Sequence, residues 1–529
     1  MNLYRNLISN TVLFGISTFG ARFLTFLLTP FYTRVLSSAE YGITDLLIQT
    51  GNLIIPIASV GIANGVIRYG LERSSNKASV FTTGILVTLA GFFVLALASP
   101  LLDQLTFLSG YVRLVLLYVL AANLHSICNQ FARALGHVRL FALDGILRTV
   151  LTILLNILLL AVFPMGAAGY VLANVLADGI AAVFVFSAAK EWRYLRLSSL
   201  SRPEAGRMLR YSAPLVPSSL CSWIINISDR YMIALLIGSA ATGIYAVSNK
   251  VPNILMNVAG IFTSAWQLSA LAEQPKAEKE RFFSNVYAVY SAIAFVTASG
   301  VILTARLSTR LLAAPEYYEA WRYVPVLTLA TTFACLGSFL SSIYMVEQRS
   351  TATLVTTMLG AACNLAGNFF LIPLWGSMGA AVSTLFSYIL IFTVRALHTR
   401  SMLQIHWALH RLLPCVLLLC IQCVLMEREV PCLPMWSCLC FTAVALINRR
   451  PLWSALRKAL WRRRPEAAPP GRALPRPAPA RFPAEGRLAA PTPEWRHSPS
   501  LRSPQRRRPG IEMPSLFSLP KNLCLDESA

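Results

Sequence analysis

Ionised and amide side chains recur at helical spacing inside otherwise apolar stretches of this sequence. Thr18, Arg22, Thr25 and Thr29 fall at steps of four, three and four, and so do Asp45, Gln49, Asn52 and Pro56. Ser219, Ser222, Asn226 and Asp229 follow at three, four and three, and Lys250, Asn253 and Asn257 at three and four. Each set is one stripe on a helix of 3.6 residues per turn. A charged group at the centre of a membrane-length helix costs about 3 kcal/mol on insertion scales, so such stripes face protein or a wet cavity. The chemistry on offer is binding: ammonium, guanidinium and amide groups suit an anionic or sugar-bearing ligand. Candidate binding residues are Arg22, Lys250, Gln49, Asn249, Asn253 and Arg230. Asp45, Asp178, Asp229 and Glu347 are candidates for carrying a coupling ion.

Each of these residues has a plainer reading. Asn156, Asn174, Asn364 and Asn368 read as hydrogen-bonded bridges between membrane helices, at roughly 1 kcal/mol each. Asp229 and Arg230 can be a pair that only fixes their own helix; of the two, Asp229 is the one expected to face the cleft. Arg68 and Arg148 read as side chains snorkelling to the cytoplasmic surface. Arg22 and Lys250 lie nearer mid-helix and resist that reading. Pro56 and Pro252 serve equally as static bends or as hinges.

No cofactor, metal or catalytic group is expected. There is no phosphate-binding G-x-x-x-x-G-K string. Cys420 and Cys423 form a C-x-x-C inside an apolar run, where cysteine acts as a small hydrophobe. His406 and His410 sit one turn apart at a basic membrane boundary and supply only two ligands. The longest predicted outer loop, about Thr304 to Tyr323, offers only Glu316 and Glu319 for acid–base work, which weighs against a polymerase or ligase.

The elements that position these stripes follow from composition. Of 529 residues, 56% are hydrophobic and 13% charged, against about 25% charged in soluble domains. About 20 apolar residues cross a bilayer as a helix, which predicts an all-α polytopic membrane protein of about fourteen transmembrane helices. They include Asn10–Phe31, Gly42–Gly65, Leu143–Phe163, Tyr211–Ile237, Gly243–Trp266 and a short last one, Cys432–Ile447. The net charge is +23. Nineteen Lys/Arg, with Arg148 and Arg395 counted among them as surface cations, fall in loops after even-numbered helices and six after odd-numbered ones. The positive-inside rule then places both termini in the cytoplasm.

The chain repeats itself. Leu36-Ser37-Ser38-Ala39-Glu40-Tyr41-Gly42-Ile43 returns as Ile237-Gly238-Ser239-Ala240-Ala241-Thr242-Gly243-Ile244. Met165-Gly166-Ala167-Ala168 returns as Met378-Gly379-Ala380-Ala381. Six helices per repeat predict two lobes of the same orientation, related by an axis along the membrane normal. The expected organisation is a six-helix lobe over 1–189, a cytoplasmic connector over 190–210, a second six-helix lobe over 211–400 and two additional helices over 401–461. A Pro/Arg-rich tail over 462–529 has no core-forming pattern. It reads as disordered, or as the product of a shifted reading frame, with a nucleic-acid role for Arg506-Arg507-Arg508 set aside.

RVLSSAEYGITDLL, VGIANGVIRYG, SDRYMIALLIGSAATGIYAVSNKVPNIL and the following FTSAWQ resemble the polysaccharide-transport family. Its members are the O-antigen flippase-like proteins of the multidrug/oligosaccharidyl-lipid/polysaccharide exporter superfamily. The resemblance covers roughly Asn2 to Leu397. It implies a bacterial inner-membrane bundle of two six-helix lobes around a cavity, with alternating access. It also implies a substrate, undecaprenyl-pyrophosphate-linked oligosaccharide moved toward the outer leaflet for surface polysaccharide such as the O-antigen of lipopolysaccharide. Membrane lipid, a polysaccharide polymerase and glycosyltransferases are the implied partners, and the protein is a transporter rather than an enzyme. Arg22 and Lys250 then stand where a related lipid II flippase places basic cavity residues. The competing reading is an ion-coupled exporter of small cationic drugs, which a basic cleft would repel.

Overall fold

Ser37 starts the first long helix. Its hydroxyl accepts the Glu40 amide at 3.3 Å, and Glu40 Oε2 accepts the Ser37 amide at 3.0 Å. This reciprocal cap satisfies donors that the first helical turn leaves open. Asn76 caps another helix by accepting the amides of Ala78 and Ser79. The computed structural model describes residues 26, 28–72, 74–105, 107–260, 276–347, 349–404 and 407–461. Every element among them is helical. Arg22, most of the first predicted span, His406 and the tail lie outside them.

The N-terminal half comprises α1 (Thr29–Val35), α2 (Ser38–Ala58), α3 (Ile62–Leu71), α4 (Lys77–Leu97), α5 (Val112–Ala134), α6 (Val138–Asn156) and α7 (Gly166–Ala188). A connector helix α8 (Arg202–Ser212) follows. The C-terminal half holds α9 (Leu215–Leu236), α10 (Ser239–Ser248), α11 (Lys276–Leu303), α12 (Ala305–Leu312), α13 (Val324–Val346), α14 (Ser350–Trp375) and α15 (Ser377–Thr399). α16 (Leu409–Glu427), α17 (Leu433–Ile447) and α18 (Arg449–Trp461) close the described chain.

Nine described helices are long and apolar enough to cross a membrane, ten if the bent pair α2–α3 counts as one span. About fourteen were expected; the first lies mostly outside the described residues, and the others that fall short do so for physical reasons. The second predicted span bends by 54° between α2 and α3, because Val60 and Gly61 take left-handed conformations one turn after Pro56. The eighth is broken: α10 ends at Ser248 and helix resumes over 253–260. Pro252 has no N–H to give the Ser248 carbonyl, and it disfavours helix at Val251. α9 has the length but carries Asp229, Arg230 and several hydroxyl and amide groups. α17 has only 15 residues.

Apolar cores form within each half. Ile62, Val66, Phe81, Phe131 and Val185 gather at one end of the N-terminal half, and Met208 of α8 inserts among them. The connector therefore packs on protein as well as lying at a surface. Leu47, Val115, Val119 and Val171 fill the other end. The largest cluster joins α11, α13, α16 and α17. Gln422 ties those last helices together, accepting the Ser299 hydroxyl at 2.7 Å and donating to the Ser437 carbonyl at 3.1 Å.

The halves meet where the repeated octapeptides cross. A Cβ on Gly42 would stand 2.0 Å from the Ser239 carbonyl oxygen, and one on Gly243 would stand 2.0 Å from that of Ser38. The contact is reciprocal, each half offering a glycine to the other's backbone.

Candidate functional site

The break before Pro252 shapes the centre of the molecule. Asn249 and Lys250 occupy non-helical backbone there, and their side chains reach a cavity of about 530 Å3. Asn253 and Asn257 line it from the next turns, and Asn226 and Asp229 from α9. α6 supplies Arg148 and Thr149, α13 supplies Thr331, and α15 supplies Thr384 and Tyr388. Lys250 and Asn253 make no side-chain hydrogen bond or ion pair among the described residues. Asp229 is occupied instead: Oδ1 accepts the Arg230 amide at 2.8 Å and Oδ2 accepts the Tyr245 hydroxyl at 2.8 Å. The cavity thus presents two cations, one from each half, and a set of amides.

Arg148 belongs to a buried cluster drawn from three helices. Its Nε and Nη2 grip Asp178 of α7 bidentately, the second contact at 3.1 Å. His125 of α5 stands between two carboxylates, with Nδ1 3.2 Å from Asp178 Oδ1 and Nε2 2.9 Å from Asp144 Oδ2. Both ring nitrogens can donate only when both carry hydrogen. The cluster then balances two negative charges with two positive ones. Arg148 is the member that also touches the cavity.

A second ion pair crosses between the halves. Arg230 Nη1 lies 2.6 Å from Asp45 Oδ2, both buried. Beside it the Thr50 and Tyr231 hydroxyls meet at 2.6 Å, and Trp223 Nε1 donates to the Gln49 carbonyl at 3.1 Å. Along this seam α2 faces α9 directly.

The family model described as "Polysaccharide biosynthesis protein" matches residues 31–322, more than half of the chain. The chain belongs to that family. No curated protein matches the sequence. Among solved structures, "Lipid II flippase MurJ, inward closed conformation" is similar over 85% of this chain and 100% of its own, with a TM-score of 0.65 at 13% identity. An inward-facing multidrug resistance MATE family transporter of the MOP superfamily matches over 72% of this chain and 95% of its own, at 0.60 and 15%. An outward-facing one matches over 74% and 95%, at 0.53 and 17%. This member of the polysaccharide biosynthesis family is a multi-pass membrane protein with the fold of those transporters.

Against that fold the sequence candidates separate. Lys250, Asn249, Asn253 and Asp229 share the central cavity. Arg230 and Asp45 do not join them, because each spends its charge on the other. The Arg230 guanidinium ties the halves together and is not among the described residues lining the cavity. The Gln49 side chain accepts from Asn52 at 3.3 Å rather than reaching the cavity wall. Asp178 lies behind the cavity, held by Arg148 and His125. Glu347 follows the last turn of α13 and is exposed.

Arg148, His125 and Asp144 were missed as a group. The sequence pattern starts this span at Leu143 and so sets Arg148 near a membrane surface. The helix begins at Val138, so Arg148 stands almost three turns inside it. Asp144 and Arg148 at i, i+4 on one helix were the available signal. Arg395, also counted as a surface cation, is buried within α15. Asn364 bridges helices as expected, accepting the Ser228 hydroxyl at 2.9 Å and donating to Thr384 at 3.2 Å, whereas Asn368 donates along its own helix to Asn364 Oδ1 at 3.1 Å.

Proposed function

We propose that this protein moves a lipid-linked oligosaccharide across the bacterial inner membrane, by alternating access, for surface polysaccharide synthesis. The observation that carries the reading is one cavity with Arg148 from the N-terminal half and Lys250 from the C-terminal half. Charge-assisted contacts to phosphate are roughly twice as strong as neutral ones. An anion gripped from both halves lets them rock around it. The amides of Asn249 and Asn253 suit sugar hydroxyls. Undecaprenyl pyrophosphate is the carrier that this chemistry and the family suggest, with Arg22 as a third basic contact. Both termini face the cytoplasm in this reading, and polymerase and glycosyltransferases act beside the transporter.

Asp178 is the best-supported site for ion coupling, being the acidic candidate bonded to a cavity cation. A phosphate that draws Arg148 away from Asp178 leaves the His125–Asp178 pair to exchange a proton. Asp45 is bonded to Arg230 and Asp229 to Tyr245 instead.

The test is complementation of a flippase-null strain. Lys250→Ala should abolish it at normal membrane abundance, Arg148→Ala should abolish it with reduced abundance, and Lys250→Arg should retain part of it. Since Arg148→Ala also strands Asp178, the double variant Arg148→Ala/Asp178→Asn should recover abundance but not transport. Full complementation by both single variants would sink the reading and favour export of small cations.

A further inference from the structure

A second cavity, of about 670 Å3, lies where α16, α17 and α18 meet α11. Chain order explains its chemistry. α16 begins at Leu409 and α17 ends at Ile447, so the two ends of this helical hairpin come together. They bring His410 and Arg411 to Arg449 and Arg450. Asn285 of α11 and Ser454 of α18 add neutral polar groups. No carboxylate is among its described lining residues. The guanidinium groups of Arg411, Arg449 and Arg450 form no ion pair or hydrogen bond among the described residues. Three uncompensated cations around one hollow repel one another unless an anion enters.

Arg449 and Arg450 also border a neighbouring groove of about 640 Å3, whose other described walls are Leu452 and Trp453. Trp453 is 69% exposed and Leu446, on the cavity rim, 56%. Cationic hollow and apolar groove thus share the same two arginines. A free phosphate would satisfy the first and leave the second bare. A phosphocholine headgroup brings its own positive charge into the hollow. The chain's own segment 462–529 holds thirteen Lys/Arg against six Asp/Glu, so it does not complement the site. The charge bias of the loops puts this end of the hairpin at the cytoplasmic face, where basic hollows between helices meet anionic headgroups.

We propose that this junction binds an anionic glycerophospholipid, with its phosphate among Arg411, Arg449 and Arg450 and an acyl chain along Trp453 and Leu446. The site is separate from the central cavity and is independent of what that cavity transports.

The experiment uses the full chain, purified in detergent and examined by native mass spectrometry during lipid titration. The wild type should prefer phosphatidylglycerol to phosphatidylcholine by at least about tenfold, in line with the attraction of clustered arginines for anionic lipid. R411Q/R449Q/R450Q should lose that preference, while the triple Arg→Lys variant should keep most of it. The lysine variant and the unfolding midpoint of each protein separate lost binding from lost folding. K250A should retain the preference, because it alters only the central cavity. Inorganic phosphate at millimolar concentration should not displace the lipid. An unchanged preference in the glutamine variant would overturn the proposal. So would displacement by inorganic phosphate, or tighter binding of undecaprenyl phosphate at the same arginines, which would make the junction part of the transport route.

Discussion

The two halves bury charge in opposite ways. In the N-terminal half, His125, Asp144, Arg148 and Asp178 neutralise one another. In the C-terminal half, Arg395 is 7% exposed and its partners among the described residues are neutral oxygens. Its Nε donates to Thr356 at 3.0 Å, Nη2 to Thr357 at 3.0 Å and Nη1 to the Gly337 carbonyl at 2.9 Å. A repeated backbone therefore carries two chemistries. The N-terminal cluster has titratable members and one arginine in the cavity wall, so a change at the ligand can alter its charge. The C-terminal network of Asn364, Asn368, Ser228 and Thr384 holds only neutral groups and serves packing.

The largest effect should come from cutting each arrangement. Asp178→Ala leaves the buried His125 ring with Asp144 alone and takes the carboxylate from Arg148, whose side chain is 40% exposed at the cavity. Stranding a buried charge costs about 3–5 kcal/mol, and the exposure of Arg148 puts this loss at about 3 kcal/mol. Arg395→Met replaces a lone cation by an apolar chain of similar length, a change often neutral or stabilising. Thr356 and Thr357 would keep their bonds to the carbonyls of Ala352 and Thr353. Thermal unfolding of the purified variants measures both. Equal losses would end the distinction between the halves.

A second contrast lies in the connector. Glu191, outside the membrane spans, is fully buried, and neither carboxylate oxygen has a hydrogen-bond partner within bonding geometry among the described residues. Burial pushes its carboxyl up to about 8, and the neighbouring Cys128 thiol offsets only a little of this. Unfolded, the group titrates near its ordinary value of about 4.3. Between those limits the folded chain keeps a proton that the unfolded chain has released, so stability should fall as pH rises from about 4.3 to 8. The loss is on the order of 2 kcal/mol after allowing for water penetration. Glu191→Gln should flatten the pH profile and raise stability at pH 8. A profile as steep as that of the wild type would show that Glu191 is not its source.

Where the halves touch, the comparison turns to symmetry. Gly42→Ala and Gly243→Ala each drive a Cβ against the opposite backbone. Each should cost about 1–3 kcal/mol as the helices shift apart. Near-equal losses would show that the seam is a true two-fold contact. A loss confined to one variant would mean that the seam carries load from one half only.

This seam was legible in the sequence as the repeated octapeptide, although nothing there said that the two copies meet. The stripe that ends at Asn226 and Asp229 and the run from Asn249 to Asn257 could be read too, because helical spacing and an apolar background are local facts. The Asp45–Arg230 pair could not. Its members are 185 residues apart, and no local period links them. Arg148 is lost for another reason: His137, Arg139 and Asp144 lower the apolarity of the first turns, so the pattern starts the helix too late. Arg395 failed in the same way, a cation near a helix end being taken for a surface group.

The smallest effect concerns an asymmetry at the same seam. The Ser38 amide donates to Glu316 Oε1 at 2.9 Å, and the Tyr317 hydroxyl donates to the Leu36 carbonyl at 2.8 Å. Both acceptor–donor pairs tie the segment after α12 to the first octapeptide. The bonds from Ser38 hold the Glu316 carboxyl below the usual carboxylate range. A depressed group stabilises the fold above its unfolded value, and that contribution is lost as pH falls through the folded one. Glu316 is largely solvent-exposed, so screening keeps the contribution small. Glu316→Gln should therefore leave the unfolding midpoint almost unchanged and act locally. At pH 7, hydrogen exchange at the Ser38 amide should be faster in the variant than in the wild type. Acidification should narrow that difference as the wild-type carboxyl takes up a proton, at a pH below the ordinary carboxylate range. Equal protection at pH 7 would mean that the Tyr317 bond alone holds this corner.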